Sequence, residues 1–186
     1  MATARDDLAP LDVHVVPMQR RHIKAVLRIE EQVYPRPWTA SLFTSELALR
    51  ATRAYVVAKV GRDVVGYAGL MMSLADGHVT TIAVDPAWHR HGIATRLLVA
   101  VARAAREREA TALTLEVRLS NRPAQELYRR FGFEAAGVRV GYYGDTGEDA
   151  VVMWAHGVAE PEYGRLLDAQ ERRVPGTTVY ERPRRW

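Results

Sequence analysis

Apolar residues along this 186-residue chain recur with a period that changes from segment to segment, and the changes mark out its elements. Val13 to Val16 reads as a short strand, while Ile23, Val26, Leu27 and Ile29 recur at helical spacing within Arg20 to Val33. Tyr34-Pro35-Arg36-Pro37-Trp38 ends that helix, because each proline disfavours helical geometry in the residue before it. Thr39 then caps a second helix to about Leu49. Tyr55 to Val60 and Val64 to Met72 read as strands joined at Gly61-Arg62-Asp63, and Ala75-Asp76-Gly77 supplies a hairpin turn into Val79 to Val84. The middle of the chain is thus an antiparallel meander.

Asp85-Pro86 stops the last of these strands. A helix from about Gly92 to Glu109 follows, with Ile93, Leu97, Leu98, Val101, Ala104 and Ala105 on one stripe. In the next strand Leu113, Leu115 and Val117 share one face and Thr114 and Glu116 the other. A helix from Asn121 or Arg122 to Phe131 ends at Gly132, a residue suited to a left-handed cap. Phe133 to Val140 and Ala150 to Trp154 read as the final strands, separated by a loop from Gly141 to Gly147. The expected organisation is an N-terminal tail over 1–12, one domain over 13–156 and a C-terminal extension over 157–186, partly helical between Glu160 and Arg173. Val174 to Trp186 has too little apolar content to fold alone and is expected to lie on the domain or stay mobile.

Composition narrows the chemistry. Apolar residues are 48% and charged residues 26%, ordinary for a folded chain, and the net charge of +4 favours an anionic partner. The tail carries six arginines against five acids, so it is weak evidence for nucleic-acid binding, and nucleic acid is not the expected substrate. There is no cysteine, which excludes disulfides, a thiolate zinc site and a thiol nucleophile. No signal peptide and no run of roughly 20 apolar residues is evident, so a cytoplasmic protein without a membrane partner is expected.

The most informative stretch is His89-Arg90-His91-Gly92-Ile93-Ala94, at the start of a helix. The first N–H groups of a helix lack internal acceptors and carry partial positive charge, so a diphosphate can bind there through main chain. Small residues at Gly92 and Ala94 permit close approach. A lone acid, Glu116, and Tyr128 lie on the elements that follow, giving candidate acid/base groups beside a phosphate-bearing acyl carrier. Each feature also has a plainer reading: a helix start, a solvated acid, a core aromatic, and at Asn121 a helix cap. His89 and His91 have no acidic partner nearby in sequence, so no metal is expected.

These residues resemble the GNAT superfamily of N-acetyltransferases, which carries [Q/R]-x-x-G-x-[G/A] at this turn. LEVRLSNRPAQELYRRFGF, YPRPW and GYYGDTGEDAVVM together look like its RimI branch, the ribosomal-protein alanine N-acetyltransferases, over roughly Val13 to Trp154. His89 stands where glutamine or arginine is usual, and Arg90 where glycine is common. The resemblance implies an α/β GNAT fold: a mixed, mostly antiparallel sheet of about seven strands with a V-shaped splay, flanked by about four helices. It implies acetyl-CoA as cosubstrate, with Ile82, Ala83 and Val84 bonding the pantetheine arm through main chain. Arg90, His91, Gly92, Ile93, Ala94 and Thr95 would wrap the pyrophosphate, and Asn121 would contact the arm.

By the same resemblance Glu116 is the general base, Tyr128 the general acid, and Trp38, Tyr142 and Tyr143 line a peptide groove. A protonated amine cannot attack a thioester, so a carboxylate must accept its proton, and a tyrosine can return one to the departing sulfur. An α-amino group with pKa near 8 is about one-tenth neutral at pH 7, against under roughly a thousandth for lysine. A protein N-terminus therefore suits Glu116, and the resemblance points to the N-terminal alanine of the eighteenth small-subunit ribosomal protein. Rival expectations are a small amine, an aminoglycoside or a lysine side chain as acceptor, or a non-catalytic acyl-CoA-binding or interaction module.

Overall fold

In the computed structural model, which describes residues 10–181, the alternating segments form one open sheet with helices on both faces. Leu11–Pro17 (β1) leads through Ile23–Val33 (α1) and Ala40–Ala48 (α2) to the meander Arg53–Val60 (β2), Asp63–Ser73 (β3) and Asp76–Val84 (β4). Ile23 to Val33 keeps its helix through the apolar face Ile23, Val26 and Ile29, and the Thr39 hydroxyl caps α2 by accepting from the Leu42 N–H at 3.2 Å. Then come Ile93–Arg106 (α3), Ala112–Arg118 (β5), Arg122–Arg130 (α4), Glu134–Tyr143 (β6), Glu148–His156 (β7), Pro161–Glu171 (α5) and Gly176–Tyr180 (β8). The sheet order is β6-β7-β5-β4-β3-β2-β1-β8. Pairing is antiparallel except between β4 and β5 and between β1 and β8.

Two cores lie on opposite faces of the sheet. One gathers Val13, Val15, Leu70, Leu97, Leu98, Val101, Leu113, Leu115, Phe131 and Phe133 beneath α3, α4 and α5. The other gathers Val16, Ile29, Phe43, Tyr55, Val57 and Tyr67 beneath α1 and α2. Removing one such large apolar side chain from water contributes about 1.5–3 kcal/mol.

What shapes the site is the junction of β4 and β5. Their parallel register holds only for Asp76, Gly77 and His78 against Ala112, Leu113 and Thr114. Beyond it β4 runs on to Val84 and β5 to Arg118 in different directions, producing the V-shaped splay. A bulge marks the divergence: Gly69 faces Thr81 while Leu70 faces Val79, leaving Thr80 unpaired, with its hydroxyl 3.2 Å from that of Tyr55. Gly69 makes room for the bulge, since a Cβ there would press into the Tyr55 ring and lie 2.7 Å from Thr80 Oγ1.

Several expectations are corrected. The hairpin turn lies at Leu74–Ala75, with Leu74 at φ 55°, while Asp76 and Gly77 already belong to β4. Gly77 is needed within the strand because a Cβ there would come within 2.8 Å of Leu113 where the two strands are still paired. Tyr142 and Tyr143, expected in a loop, end β6. There are eight strands rather than about seven among the described residues, because Gly176 to Tyr180, expected to lie on the domain or stay mobile, pairs with Leu11 to Val15. Gly176 sits against the Leu11 main chain so closely that no side chain fits. Pro161 to Glu171 of the extension form α5, and Val158, Tyr163 and Leu167 are buried in the α3-side core. Of the expected N-terminal tail, residues 1–9 lie outside the described residues, as do Arg182, Arg184 and Arg185, while Leu11 and Asp12 belong to β1. No described helix is long and apolar enough to cross a membrane.

Gly69→Ala is expected to destabilise the protein by about 1–3 kcal/mol through this overpacking, read as a lowered urea midpoint; an unchanged midpoint contradicts the role given to the bulge.

Candidate active site

Residues on alternate positions of a strand share a face, so Thr114, Glu116 and Arg118 project together, opposite the buried Leu113, Leu115 and Val117. That is the α1–α2 side of the sheet. Glu116 is held from two directions: His78 Nε2 lies 3.2 Å from Oε2, and Arg139 Nη1 lies 3.3 Å from Oε1. Its side chain is only 9% exposed, whereas that of Arg139 is 56% exposed. Burial pushes the His78 pKa below its ordinary 6.5; Arg139 adds to this and Glu116 opposes it. The ring is therefore neutral at neutral pH and stands beside Glu116 as an uncharged imidazole rather than as a second cation.

Tyr128 comes from the other face. It lies in the α3-side core, its ring 5.9 Å from that of Phe133. Burial, with the neighbouring Tyr34 and Tyr143, pushes its phenol pKa well above 10.0, so it stays protonated. Tyr34 is the link between the faces: its hydroxyl donates to the Ile82 carbonyl at 3.1 Å, and it acts electrostatically on both Tyr128 and Tyr143. Burial raises Tyr34 as well, and burial pushes Tyr143 up to about 12 despite Arg118 beside it. Thus Glu116, Tyr128, Tyr34 and Tyr143 surround the mouth of the splay.

The β6–β7 hairpin is secured by Arg118. Its guanidinium bonds Asp145 at 2.7 Å, the Thr146 hydroxyl at 2.9 Å and Glu148 at 3.2 Å, and it covers the Tyr143 ring at 4.0 Å. Tyr142 is exposed, its ring 5.2 Å from that of Tyr143 and 5.4 Å beneath Arg139. Trp38 sits apart from that pair, its ring 5.3 Å from Phe43. Its N–H donates to Glu30 Oε2 at 2.7 Å, which fixes the segment between α1 and α2.

At the far end of the cleft the turn into α3 has an unusual backbone. Arg90 at φ 68° and Gly92 at φ 70° are both left-handed. For Gly92 this is free, whereas an arginine there costs roughly 1–2 kcal/mol. This explains why a glycine would suit position 90. His89 Nε2 lies 3.1 Å from the Val84 carbonyl, and His91 Nδ1 lies 2.8 Å from the His89 carbonyl. Both rings are thus engaged with main chain. No described group of three or more His, Cys, Asp or Glu could hold a metal.

Ile93 and Ala83 are buried and Ile82, Val84 and Ala94 pack on the core. Thr95 is buried as well. The Ile82 carbonyl is already used by Tyr34. Asn121 caps α4, its side-chain oxygen accepting from the Ala124 N–H at 3.2 Å.

The sequence profile of the acetyltransferase (GNAT) family matches residues 23–133, from α1 through the turn to the end of α4. The chain belongs to the GNAT acetyltransferase family. It is an acetyl-CoA-dependent N-acetyltransferase. Among curated relatives, a Bacillus subtilis protein named putative [ribosomal protein bS18]-alanine N-acetyltransferase is 36% identical over 137 residues, 74% of this chain and 91% of that protein. The Mycobacterium tuberculosis N-alpha-acetyltransferase RimI is 40% identical over 121 residues, 63% of this chain and 74% of its own. The crystal structure of the ribosomal-protein-S18-alanine N-acetyltransferase from Escherichia coli superposes with a TM-score of 0.71 at 28% identity, covering 78% of this chain and 94% of that one.

The GNAT cosubstrate fits the cleft on physical grounds. β4 past His78 has no β5 partner, and the turn into α3 presents the unbonded first N–H groups of a helix of 14 residues. His78, Tyr34 and Arg139 were not singled out from sequence. His78 reaches Glu116 only through the short parallel register, which leaves no local signal.

Bonds from Ser120, with those of Arg118, hold Glu148 low, and Arg118 outweighs the cost of burial at Asp145, so the two carboxyls titrate below their ordinary 4.5 and 3.8. Depressed carboxylates contribute stability that is present above the ordinary values and lost as pH falls through the lowered ones. The Tyr143 ring resonances are expected to hold steady from pH 7 to about 5 and to move towards disordered values below about 4; steady shifts at pH 2.5 contradict this anchoring.

Proposed function

We propose that this GNAT enzyme acetylates the N-terminal amine of a protein, with the N-terminal alanine of ribosomal protein bS18 as its substrate. The observation that carries the reading is the placement of Glu116, clasped by His78 and Arg139 on one face of the splay, opposite the buried, protonated Tyr128 on the other. An acceptor amine entering from the α1–α2 side meets the carboxylate first, and the leaving sulfur then lies towards Tyr128. The names of the B. subtilis and E. coli relatives support the choice of substrate. A ribosomal protein substrate places the reaction in the cytoplasm.

Bound acetyl-CoA supplies an acetyl thioester, whose C–S bond breaks as the new amide C–N bond forms. The N–H groups at Gly92 to Thr95 receive the pyrophosphate through the positive end of α3, with Arg90 and His91 shaping the turn. Main chain at Ile82, Ala83 and Val84, with Asn121 at the head of α4, lines the path of the pantetheine arm. Glu116, with His78 and Arg139 beside it, takes the amine proton directly or through one water. Tyr128 hydrogen-bonds the departing sulfur through its phenolic O–H and donates to it as the C–S bond breaks, a transfer that runs uphill because a free thiol titrates near 8.5 and the buried phenol above 10.0. Trp38, Tyr142 and Tyr143 border the peptide's first residues, and Glu30 and Arg118 hold their backbones and rings in place.

Purified protein, acetyl-CoA and a peptide with the alanine-first bS18 sequence are expected to give the mass gain of one acetyl group at the peptide's α-amine. Glu116→Gln is expected to lower kcat/KM by about 10²-fold or more and Tyr128→Phe by at least about tenfold. Wild-type turnover in both variants contradicts the assigned roles, and preference for a lysine-only or aminoglycoside acceptor contradicts the substrate.

A further inference from the structure

We propose that the C-terminal extension is a brace for the cofactor turn, acting through Arg96 as a positioning residue for acetyl-CoA; this rests on the reading of that turn as the pyrophosphate site. Arg96 lies in the second turn of α3 and is wholly buried. Its guanidinium faces no carboxylate at bonding distance among the described residues and spends its donors on three separate places. Nη1 donates to the His91 carbonyl at 2.9 Å, Nη2 to the Pro175 carbonyl at 2.6 Å, and Nε to the Thr178 hydroxyl at 2.8 Å. One rigid fork thus ties the turn to both ends of the entry into β8.

A second contact runs alongside it. The Gly92 Cα packs on Val174, so that a Cβ there would lie 2.5 Å from Val174 Cγ1. The turn therefore has one side towards the cleft and the other filled by the extension. Residues held in left-handed backbone persist where their surroundings over-determine them, and here two of three consecutive residues are so held. The extension is itself firmly seated: Arg103 on α3 bonds Asp168 at 2.8 Å and Glu171 at 2.7 Å, and the Tyr163 hydroxyl donates to the Phe131 carbonyl at 3.0 Å. Seating of β8 and the anion-ready shape of the turn are thereby one coupled state. Coupling of this kind is reciprocal: if docked β8 favours the cofactor, the cofactor favours docked β8.

The test uses full-length protein. Thr178→Val removes one acceptor of Arg96 while keeping its shape, Thr178→Ser keeps the hydroxyl, and Arg96→Lys keeps the charge but loses the fork. Calorimetric titration with CoA is expected to show affinity weakened about fivefold or more in Thr178→Val and Arg96→Lys and near wild type in Thr178→Ser, with kcat at saturating acetyl-CoA within about twofold of wild type throughout. Hydrogen exchange of the β8 amides is expected to slow on adding CoA to wild type, and less so in Thr178→Val. Wild-type CoA affinity in both Thr178→Val and Arg96→Lys, or β8 exchange indifferent to CoA in wild type, overturns the brace alone. Wild-type protein that does not bind CoA overturns the cofactor reading and the brace with it.

Discussion

Everything at this site depends on the parting of β4 and β5 after three paired residues. Two neighbouring parallel strands would normally satisfy each other's main-chain groups along their whole length. Here Asp76 to His78 do so and Val79 to Val84 do not, which leaves polar backbone facing a cleft inside the sheet. Two carbonyls of this segment are already partnered, that of Ile82 by Tyr34 and that of Val84 by His89, and an occupant of the gap would bring its own amides and carbonyls to the rest. A pantetheine arm has that chemistry. Gly77 lets β4 pair closely with Leu113, and the bulge at Thr80, with no side chain at Gly69, marks where the parting begins.

The splay also explains why Glu116 and Tyr128 can differ so sharply in environment. Glu116 lies on the α1–α2 face beside a neutral histidine and an arginine. Tyr128 stands in the opposite core, where burial keeps it protonated. An intact sheet would separate these two groups; an opened one lets both reach the same ligand. In the turn into α3, left-handed Gly92 packs against Val174, which lies outside the segment that matches the family profile.

Much of this was legible in the sequence, for reasons that are local. The stripe on α3, the alternation of Leu113, Leu115 and Val117, the prolines after Tyr34 and the Thr39 cap are all short-range signals, and the elements they imply are present. Glu116 could be assigned to a face by counting. What was missed is long-range. His78 and Arg139 reach Glu116 from separate strands through register alone, and Tyr34 reaches Ile82 across the fold. β8 was missed because its five residues carry little apolar pattern, and its pairing partner lies more than 150 positions away. Tyr142 and Tyr143 were placed in a loop because Gly141 interrupts the alternation; its N–H instead bonds the Asp149 carboxylate at 2.8 Å and the strand continues.

The central claim is that one ligand path runs from the turn at Gly92 through the splay to a point between Glu116 and Tyr128. A crystal structure of the protein with an alanine-first peptide joined covalently to the sulfur of CoA tests it most directly. The account predicts the pyrophosphate on the N–H groups of Gly92 to Thr95, the linking carbonyl between Glu116 and Tyr128, and the peptide between Trp38 and the Tyr142–Tyr143 hairpin. A conjugate bound elsewhere, or with its junction away from both Glu116 and Tyr128, would contradict it.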